Sequence, residues 1–525
     1  MTRRASATLT TVLATASTQR TIRSVLIANR GEIAVRIAQT CQQRGIRVIA
    51  LASDLEPEPL VARYAQHVVH LHGTTLADTY LNAATVLAAA KDVHADAIHP
   101  GYGFLSENAA FAQACTDAGI VFIGPTPSAI TAMGDKVQSK QAMRTAGVPV
   151  VPGFEPQQGV EIALATWQAE AHKIGYPVLV KASAGGGGKG MRLVETPEGL
   201  AQGLESAQRE ARNAFGNDHV FLEKYVQNPR HIEFQVLGDA YGQVHHVFER
   251  ECSIQRRHQK IIEESPSPFL TPALRNAMGE AAVKAASAIG YQNAGTVEFI
   301  VGDDGGFYFL EMNTRLQVEH PITECVSGED LVAWQLRLAQ GEVLPAESPF
   351  TQRGWAIECR VYAEDPDAQF MPSTGKLTAF AFPQGPGIRV DTGVMAGDTV
   401  TASFDPMLAK VITTGATRAE ALARMVWALQ QSRVAGVRHN IPYLLRILAH
   451  PAFVAGTVTT HFIAEHAAAL QQSSVVPTTP LATTLLAGAA QAVRLFHPTS
   501  AGAVSVPSFG QLPDALALWR QPLRL

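Results

Sequence analysis

Between Thr296 and Glu319 the chain carries two strand-like runs around one turn, and their pairing forces carboxylates together. Glu311-Met-Asn313-Thr-Arg315-Leu-Gln317-Val-Glu319 alternates functional polar groups with mostly apolar residues. Period 2 is the strand signature and predicts Glu311, Asn313 and Arg315 on one face. Upstream, residues 296–301 and 307–310 flank Asp303-Asp-Gly-Gly306, which reads as a four-residue hairpin loop. Pairing Gly302 with Phe307 then sets Glu298 opposite Glu311. Cross-strand partners lie about 5 Å apart, where like charges repel unless a cation sits between them. Two hard carboxylates plus Asn313 suit Mg²⁺, an ion that usually also takes phosphate oxygens. The competing reading, a solvated sheet face with spare charge, fits poorly with an arginine and a third glutamate on the same run.

Glu319 sets a second constraint. Fully extended, Glu311–Glu319 would hold its ends about 26 Å apart, too far for one active centre. The chain must therefore turn near Arg315 to Gln317 if Glu319 shares the site. Pro321 disfavours helical geometry at His320, which predicts a loop there. Glu319 is then a candidate general base beside Arg315.

Bulk properties narrow the class. The 525 residues allow roughly three or four domains. Apolar content of 46% is too high for disorder, and a net charge of −4 argues against a nucleic-acid surface. Cys41, Cys115, Cys252, Cys325 and Cys359 lack metal spacing and point to a reducing compartment. No apolar run reaches the roughly 18 residues of a membrane span. The first 23 residues hold Arg3, Arg4, Arg20 and Arg23 and no acid. That composition fits a bacterial extension on a cytoplasmic enzyme, an over-long start, or a transit peptide to the mitochondrial matrix.

Ser24–Ala28, a helix over about Glu32–Gln43 and a strand over Ile46–Leu51 form a βαβ opening, so a parallel sheet is expected. Asn29-Arg-Gly31-Glu stands where a dinucleotide fold carries GxGxxG, which argues against that ligand. Lys181-Ala-Ser-Ala-Gly185-Gly-Gly-Gly-Lys189-Gly190 joins two apolar segments, with no helix after it and no Ser or Thr after Lys189. Both the Rossmann and Walker A readings fail on that context. A glycine turn between strands can instead fold over phosphates, with Lys181 as a point charge, or be a simple flexible turn. Gln255-Arg-Arg-His258-Gln-Lys260 reads alone as a solvated charge run, and gains meaning only if it lines the same cleft. His231 opens an alternating strand pattern and alone reads as structural. Residue chemistry thus leads to a Mg-ATP enzyme activating an acidic substrate.

Six motifs then resemble biotin carboxylases, the ATP-grasp components of biotin-dependent carboxylases: Ile27–Ile33, His99–Asn108, Gly134–Lys136, Lys181–Gly190, Gln255–Lys260 and Glu311–Pro321. The resemblance runs in order from about 22 to 466. It implies an α/β fold: an N-terminal Rossmann-like (pre-ATP-grasp) domain at 23–135, an ATP-grasp domain at 136–352 with a small glycine-rich lid at about 152–226, and a C-terminal α+β domain at 353–466. Residues 1–22 are then an extension or transit peptide, and 467–525 a linker or the start of a further module. By matching positions, Lys136, Lys181, Gly187, Gly188, Glu223, Lys224, His231, Gln255 and His258 are implied to contact ATP. Glu298 and Glu311 are implied Mg²⁺ or Mn²⁺ ligands, with Asn313 near a second ion. Lys260, Arg315, Gln317 and Val318 correspond to a bicarbonate pocket, Glu319 to the base, and Arg360 to the arginine that stabilises the biotin enolate.

The resemblance also implies biotin presented on a carrier protein or domain, a carboxyltransferase subunit, and a homodimer or larger assembly. No Met-Lys biotin-attachment dipeptide occurs, so biotin is expected on a separate carrier or on a missing part of a longer subunit. Phe404–Lys410 and the 467–525 tail look like methylcrotonyl-CoA-type α subunits. Two other functions compete: an ATP-grasp ligase joining a carboxylic acid to an amine, and a non-catalytic nucleotide-binding scaffold.

Overall fold

The first sheet forms where the sequence alternates buried strands with amphipathic helices. The computed structural model describes residues 20–471 except 157–159, 161, 183–190, 216, 217 and 258, with backbone alone at 136, 137, 214 and 215. Strands β1 (Ser24–Ile27), β2 (Arg47–Ser53), β3 (His67–Leu71), β4 (Ala97–His99) and β5 (Val121–Phe122) form a parallel sheet in the order β3-β2-β1-β4-β5. All four residues of β1 are buried, as a strand covered on both faces requires. The helix Gly31–Gln43 buries Ile33, Ala34, Ile37, Ala38 and Cys41, the apolar side of a 3.6-residue period.

A small lobe follows. Strands β6 (Gly153–Phe154), β7 (Val178–Ala182), β8 (Met191–Val194) and β9 (Val220–Lys224) form a sheet in the order β6-β9-β7-β8. It has its own core of Trp167, Val178, Val180, Val194, Leu204 and Leu222. β7 and β8 pair antiparallel with Lys181 opposite Met191, so the glycine-rich segment joins two strands as expected. The loop itself, including Gly187 and Gly188, lies outside the described residues.

The largest sheet has eight antiparallel strands. In chain order these begin with β10 (Arg230–Gly238), β11 (Val244–Arg256), β12 (Gln259–Ser265), β13 (Asn293–Val301), β14 (Phe307–Asn313) and β15 (Trp355–Tyr362). Across the sheet the order is β14-β13-β10-β11-β12-β15, followed by Met407–Gly415 and Ile388–Thr392. All nine residues of β10 are buried, so the half-exposed alternation expected from His231 onward is absent. The sheet passes residue 352 without a break, because β12 pairs with β15 from the C-terminal segment. At the other end, the helix Ala467–Gln471 packs Leu470 inward, and Arg446 Nε donates to the Leu470 carbonyl at 2.5 Å. Ordered packing thus continues a few residues past 466.

N- and C-terminal segments also meet at Gly393. A Cβ there would sit 2.2 Å from the Gly31 carbonyl carbon and 2.5 Å from the Glu32 nitrogen. Backbone cannot yield as a flexible side chain does, so Gly393→Ala should cost about 1–3 kcal/mol. The urea midpoint measures this, and an unchanged midpoint would refute so close an approach.

Candidate active site

The hairpin that opened the sequence argument pairs Glu298 with Glu311 as expected, by a different route. The loop is one residue longer than predicted: Val301 pairs with Phe307, and the Gly302 N–H donates to the Gly306 carbonyl at 2.8 Å. Leu310 then forms a bulge, which restores the register between the two glutamates. β10 extends the row, since Glu233 lies opposite Glu298 on one side and Arg250 on the other. Four ionisable residues therefore stand in line across four strands.

β14 ends at Asn313, so Arg315 is not on the strand face where period 2 placed it. The chain turns because Glu107 collects it: the Thr314 N–H donates to Glu107 at 3.1 Å and Arg315 Nε at 2.9 Å. Arg315 also donates to Asn313 Oδ1 at 2.9 Å and Gln317 Oε1 at 3.0 Å. It does not hydrogen-bond Glu319, although the two line the same cleft and their charges attract. His320 starts the helix His320–Ser327, so the predicted loop ends one residue earlier. Pro321 is tolerated in that first turn, where its missing N–H has no helical partner to lose.

Lys260 is the hub. Its ammonium contacts Glu233, Glu298 at 2.9 Å and Glu319 at 2.7 Å. Burial pulls Lys260 toward neutrality, but the three carboxylates outweigh it and push its pKa well up. Glu319 is 1% exposed and also accepts from Arg360 at 2.9 Å. Burial alone would raise its carboxyl; Lys260, Arg360 and Arg250 hold it well below the ordinary range. Arg360 is gripped from behind by Glu263, which accepts from Nε at 2.6 Å. Burial pushes the Glu263 carboxyl up to about 7 despite that arginine.

Glu298 Oε1 accepts from Asn313 at 2.8 Å and Gln317 at 3.1 Å as well as from Lys260, while His231 Nε2 stands 2.7 Å from the other oxygen. Burial lowers the His231 pKa, yet the Glu298 charge wins and raises it. Glu298 and Glu311 both face a cleft of about 1260 Å³. Two hard carboxylates, directly opposed on a cleft wall, fit a divalent oxygen-seeking cation. Asn313 has its nitrogen on Glu298 and its oxygen on Arg315, so here it orients Glu298.

The same cleft is lined by Lys181, Glu223, Lys224, His231, Gln255, Lys260, Arg315, Gln317, Val318, Glu319 and Arg360. The Gln255–Lys260 run is a hairpin tip, with Gln255 opposite Lys260. It is divided in function: Lys260 turns inward, while Arg256 bonds Glu364 at 2.7 Å and lies over Phe370. His258 and the Lys136 side chain lie outside the described residues. On the small lobe, Glu223 bridges Lys181 and Lys140, which hold its pKa down against burial.

Sequence reasoning passed over Lys140, Glu233, Arg250, Glu107 and Glu263. Lys140 follows Lys136 by four residues, one helical turn, which could have pointed to it. Glu107 lay within a quoted motif. Glu233, Arg250 and Glu263 offered no local signal, because their roles arise from strand neighbours far away in sequence.

Three family models match in order: the biotin carboxylase N-terminal domain at 21–130, the carbamoyl-phosphate synthase L chain ATP-binding domain at 135–347, and the biotin carboxylase C-terminal domain at 358–465. A biotin carboxylase of Halalkalibacterium halodurans is 50% identical over 448 residues, covering 85% of this chain and 98% of its own. The chain belongs to the biotin carboxylase family. It is therefore an ATP-grasp ligase of three-domain architecture whose activity is ATP-dependent biotin carboxylation. The mitochondrial methylcrotonoyl-CoA carboxylase α subunit of Arabidopsis thaliana is 49% identical over 85% of this chain, which spans only 61% of that longer protein. Among solved biotin carboxylase structures, the domain dimer of Hydrogenobacter thermophilus 2-oxoglutarate carboxylase, in complex with MgADP, ADP and bicarbonate, superposes with a TM-score of 0.77. It is 45% identical and covers 87% of this chain and all of its own.

Proposed function

We propose that this biotin carboxylase performs the first half-reaction of an acyl-CoA carboxylase: bicarbonate and ATP carboxylate biotin carried on a separate protein or domain. The observation that carries this reading is Glu319 clasped between Lys260 and Arg360, beside the Glu298–Glu311 pair. Without substrate, both cations bond Glu319. A bicarbonate anion between Lys260 and Arg315 would share the Lys260 charge, which raises Glu319's basicity when a proton must be taken.

Glu319 removes the bicarbonate proton, and the resulting oxygen attacks the γ-phosphorus of ATP, releasing ADP and forming carboxyphosphate. Lys260, Arg315, Gln317 and the Val318 backbone hold the bicarbonate oxygens. Lys136, Lys181, Glu223, Lys224, His231, Gln255, His258 and the Gly187–Gly188 loop hold the nucleotide. Mg²⁺ or Mn²⁺, held by Glu298 and Glu311 with Asn313 alongside, would supply charge neutralisation at the phosphate oxygens. Carboxyphosphate then breaks to CO₂ and phosphate, the phosphate takes the N1′ proton of biotin, and Arg360 stabilises the enolate that captures CO₂. Water would hydrolyse carboxyphosphate, so the lobe of β6–β9 serves as a lid.

The likeness to methylcrotonoyl-CoA carboxylase α subunits supports a place beside a biotin carrier and a carboxyltransferase, and the dimeric neighbour supports a homodimer. No helix among the described residues is long and apolar enough to cross a membrane. The cytoplasm, or the mitochondrial matrix if the N-terminal segment is a transit peptide, fits such an assembly. Bicarbonate-dependent ADP release should rise when free biotin is added. Release that ignores biotin, or that needs an amine and a carboxylic acid, would support the competing ligase.

A further inference from the structure

A second group of metal-ligating side chains lies on the N-terminal sheet, and none of its members lines the cleft. β3 is the edge strand of that sheet, and His70 and His72 are two residues apart at its end. That spacing on extended backbone directs both imidazoles to one side. β2 pairs Ser53 with Leu71, which brings Asp54, the next residue, between them. His70 Nε2 stands 2.6 Å from Asp54 Oδ1, and His72 Nδ1 stands 3.6 Å from the same oxygen. The Gly73 N–H donates to Asp54 Oδ2 at 2.9 Å and fixes the carboxylate. One ligand atom from each of the three residues lies within 4.8 Å of the others.

The second imidazole adds a third ligand atom beside the His70–Asp54 pair. His70 alone satisfies Asp54 Oδ1, and 3.6 Å is too long for His72 to add a hydrogen bond. Yet His72, whose side chain is 84% exposed and free to turn outward, aims a nitrogen at that oxygen. Zinc bonds of about 2.0–2.2 Å in tetrahedral geometry place neighbouring ligand atoms roughly 3.3–3.6 Å apart. His72 already stands at that spacing, and His70 would open by less than about 1 Å.

We propose that Asp54, His70 and His72 form a surface site for a transition-metal dication such as Zn²⁺, with its remaining positions open to water. Two imidazoles and one carboxylate favour Zn²⁺ over Mg²⁺, so the site differs chemically from the oxygen donors of Glu298 and Glu311. Occupancy braces a turn that leads to the cleft. Ser53 and Glu56 exchange two backbone hydrogen bonds at 3.2 and 3.0 Å. Glu56 in turn grips Arg30 at 2.7 and 2.6 Å, and Arg30 lies over Phe404 on the cleft wall.

Chelator-stripped full-length enzyme, titrated calorimetrically with Zn²⁺ in excess Mg²⁺, is expected to show a micromolar equivalent. His72→Ala and Asp54→Asn should each weaken it by at least about tenfold, a ligand mattering no less than its supporting shell. The d–d absorption of Co²⁺ bound in place of zinc should disappear in the same variants. Biotin carboxylation with Mg-ATP should be unchanged in them, since all three side chains are exposed and outside the cleft. Wild-type enzyme that binds no Zn²⁺ tighter than millimolar overturns the proposal. So does a Zn²⁺ equivalent of unchanged affinity in His72→Ala.

Discussion

Arg360→Ala is expected to abolish biotin carboxylation while leaving a slow bicarbonate-dependent ATPase. Arg360 is 6% exposed and its guanidinium is fixed between Glu263 and Glu319, so it presents donors that need no reorganisation when charge develops nearby. Loss of one preorganised donor of this kind costs about a hundred- to a thousandfold in rate. The nucleotide side should be spared, because Arg360 contacts neither Glu298 nor the lysines of the small lobe. Losing one of its two nearest cations also makes Glu319 more basic, so deprotonation of bicarbonate should survive the change. Parallel assays of ADP release and carboxybiotin formation would read the two activities apart. If ATP binding falls as much as carboxylation, Arg360 is a structural residue and its assignment to the enolate fails.

Glu319→Gln should have the opposite pattern, with both activities lost together. Glutamine keeps the shape but cannot take a proton, and general-base catalysis contributes about a hundred- to ten-thousandfold. Its amide would also face Lys260 and Arg360, two donors that now compete for one oxygen. ATP should still bind, because Glu298, Glu311 and the small-lobe lysines are untouched; nucleotide fluorescence or calorimetry would show this. Bicarbonate-dependent ATPase within a few-fold of wild type would remove Glu319 from the role of base.

These two residues show where sequence reading succeeds and where it stops. That Glu319 must leave the strand followed from length alone, and the strand does end at Asn313. Its direct bonding partners were not legible: Arg315 shares the cleft but is held by Glu107, and Glu319 is bonded by Lys260 and Arg360, 59 and 41 residues distant. The Glu298–Glu311 pairing was legible for a partly fortuitous reason. A loop one residue too short in expectation and an unforeseen bulge at Leu310 cancel, leaving the register correct at the glutamates.

What the sequence by itself determined is local: the strand and helix periods, the βαβ opening, the hairpin with opposed carboxylates, and the need for a turn before Glu319. Each follows from backbone geometry within a dozen residues or so, where side-chain direction is set by the chain itself. Only the tertiary structure decided which charges meet. Glu233 lines up with Glu298 and Arg250, and Lys260 reaches three carboxylates, because of the order β14-β13-β10-β11-β12-β15. That order is long-range packing, in which separation along the chain says little about distance in space. The electrostatics of the cleft, and with them the basicity of Glu319, are properties of the assembled sheet.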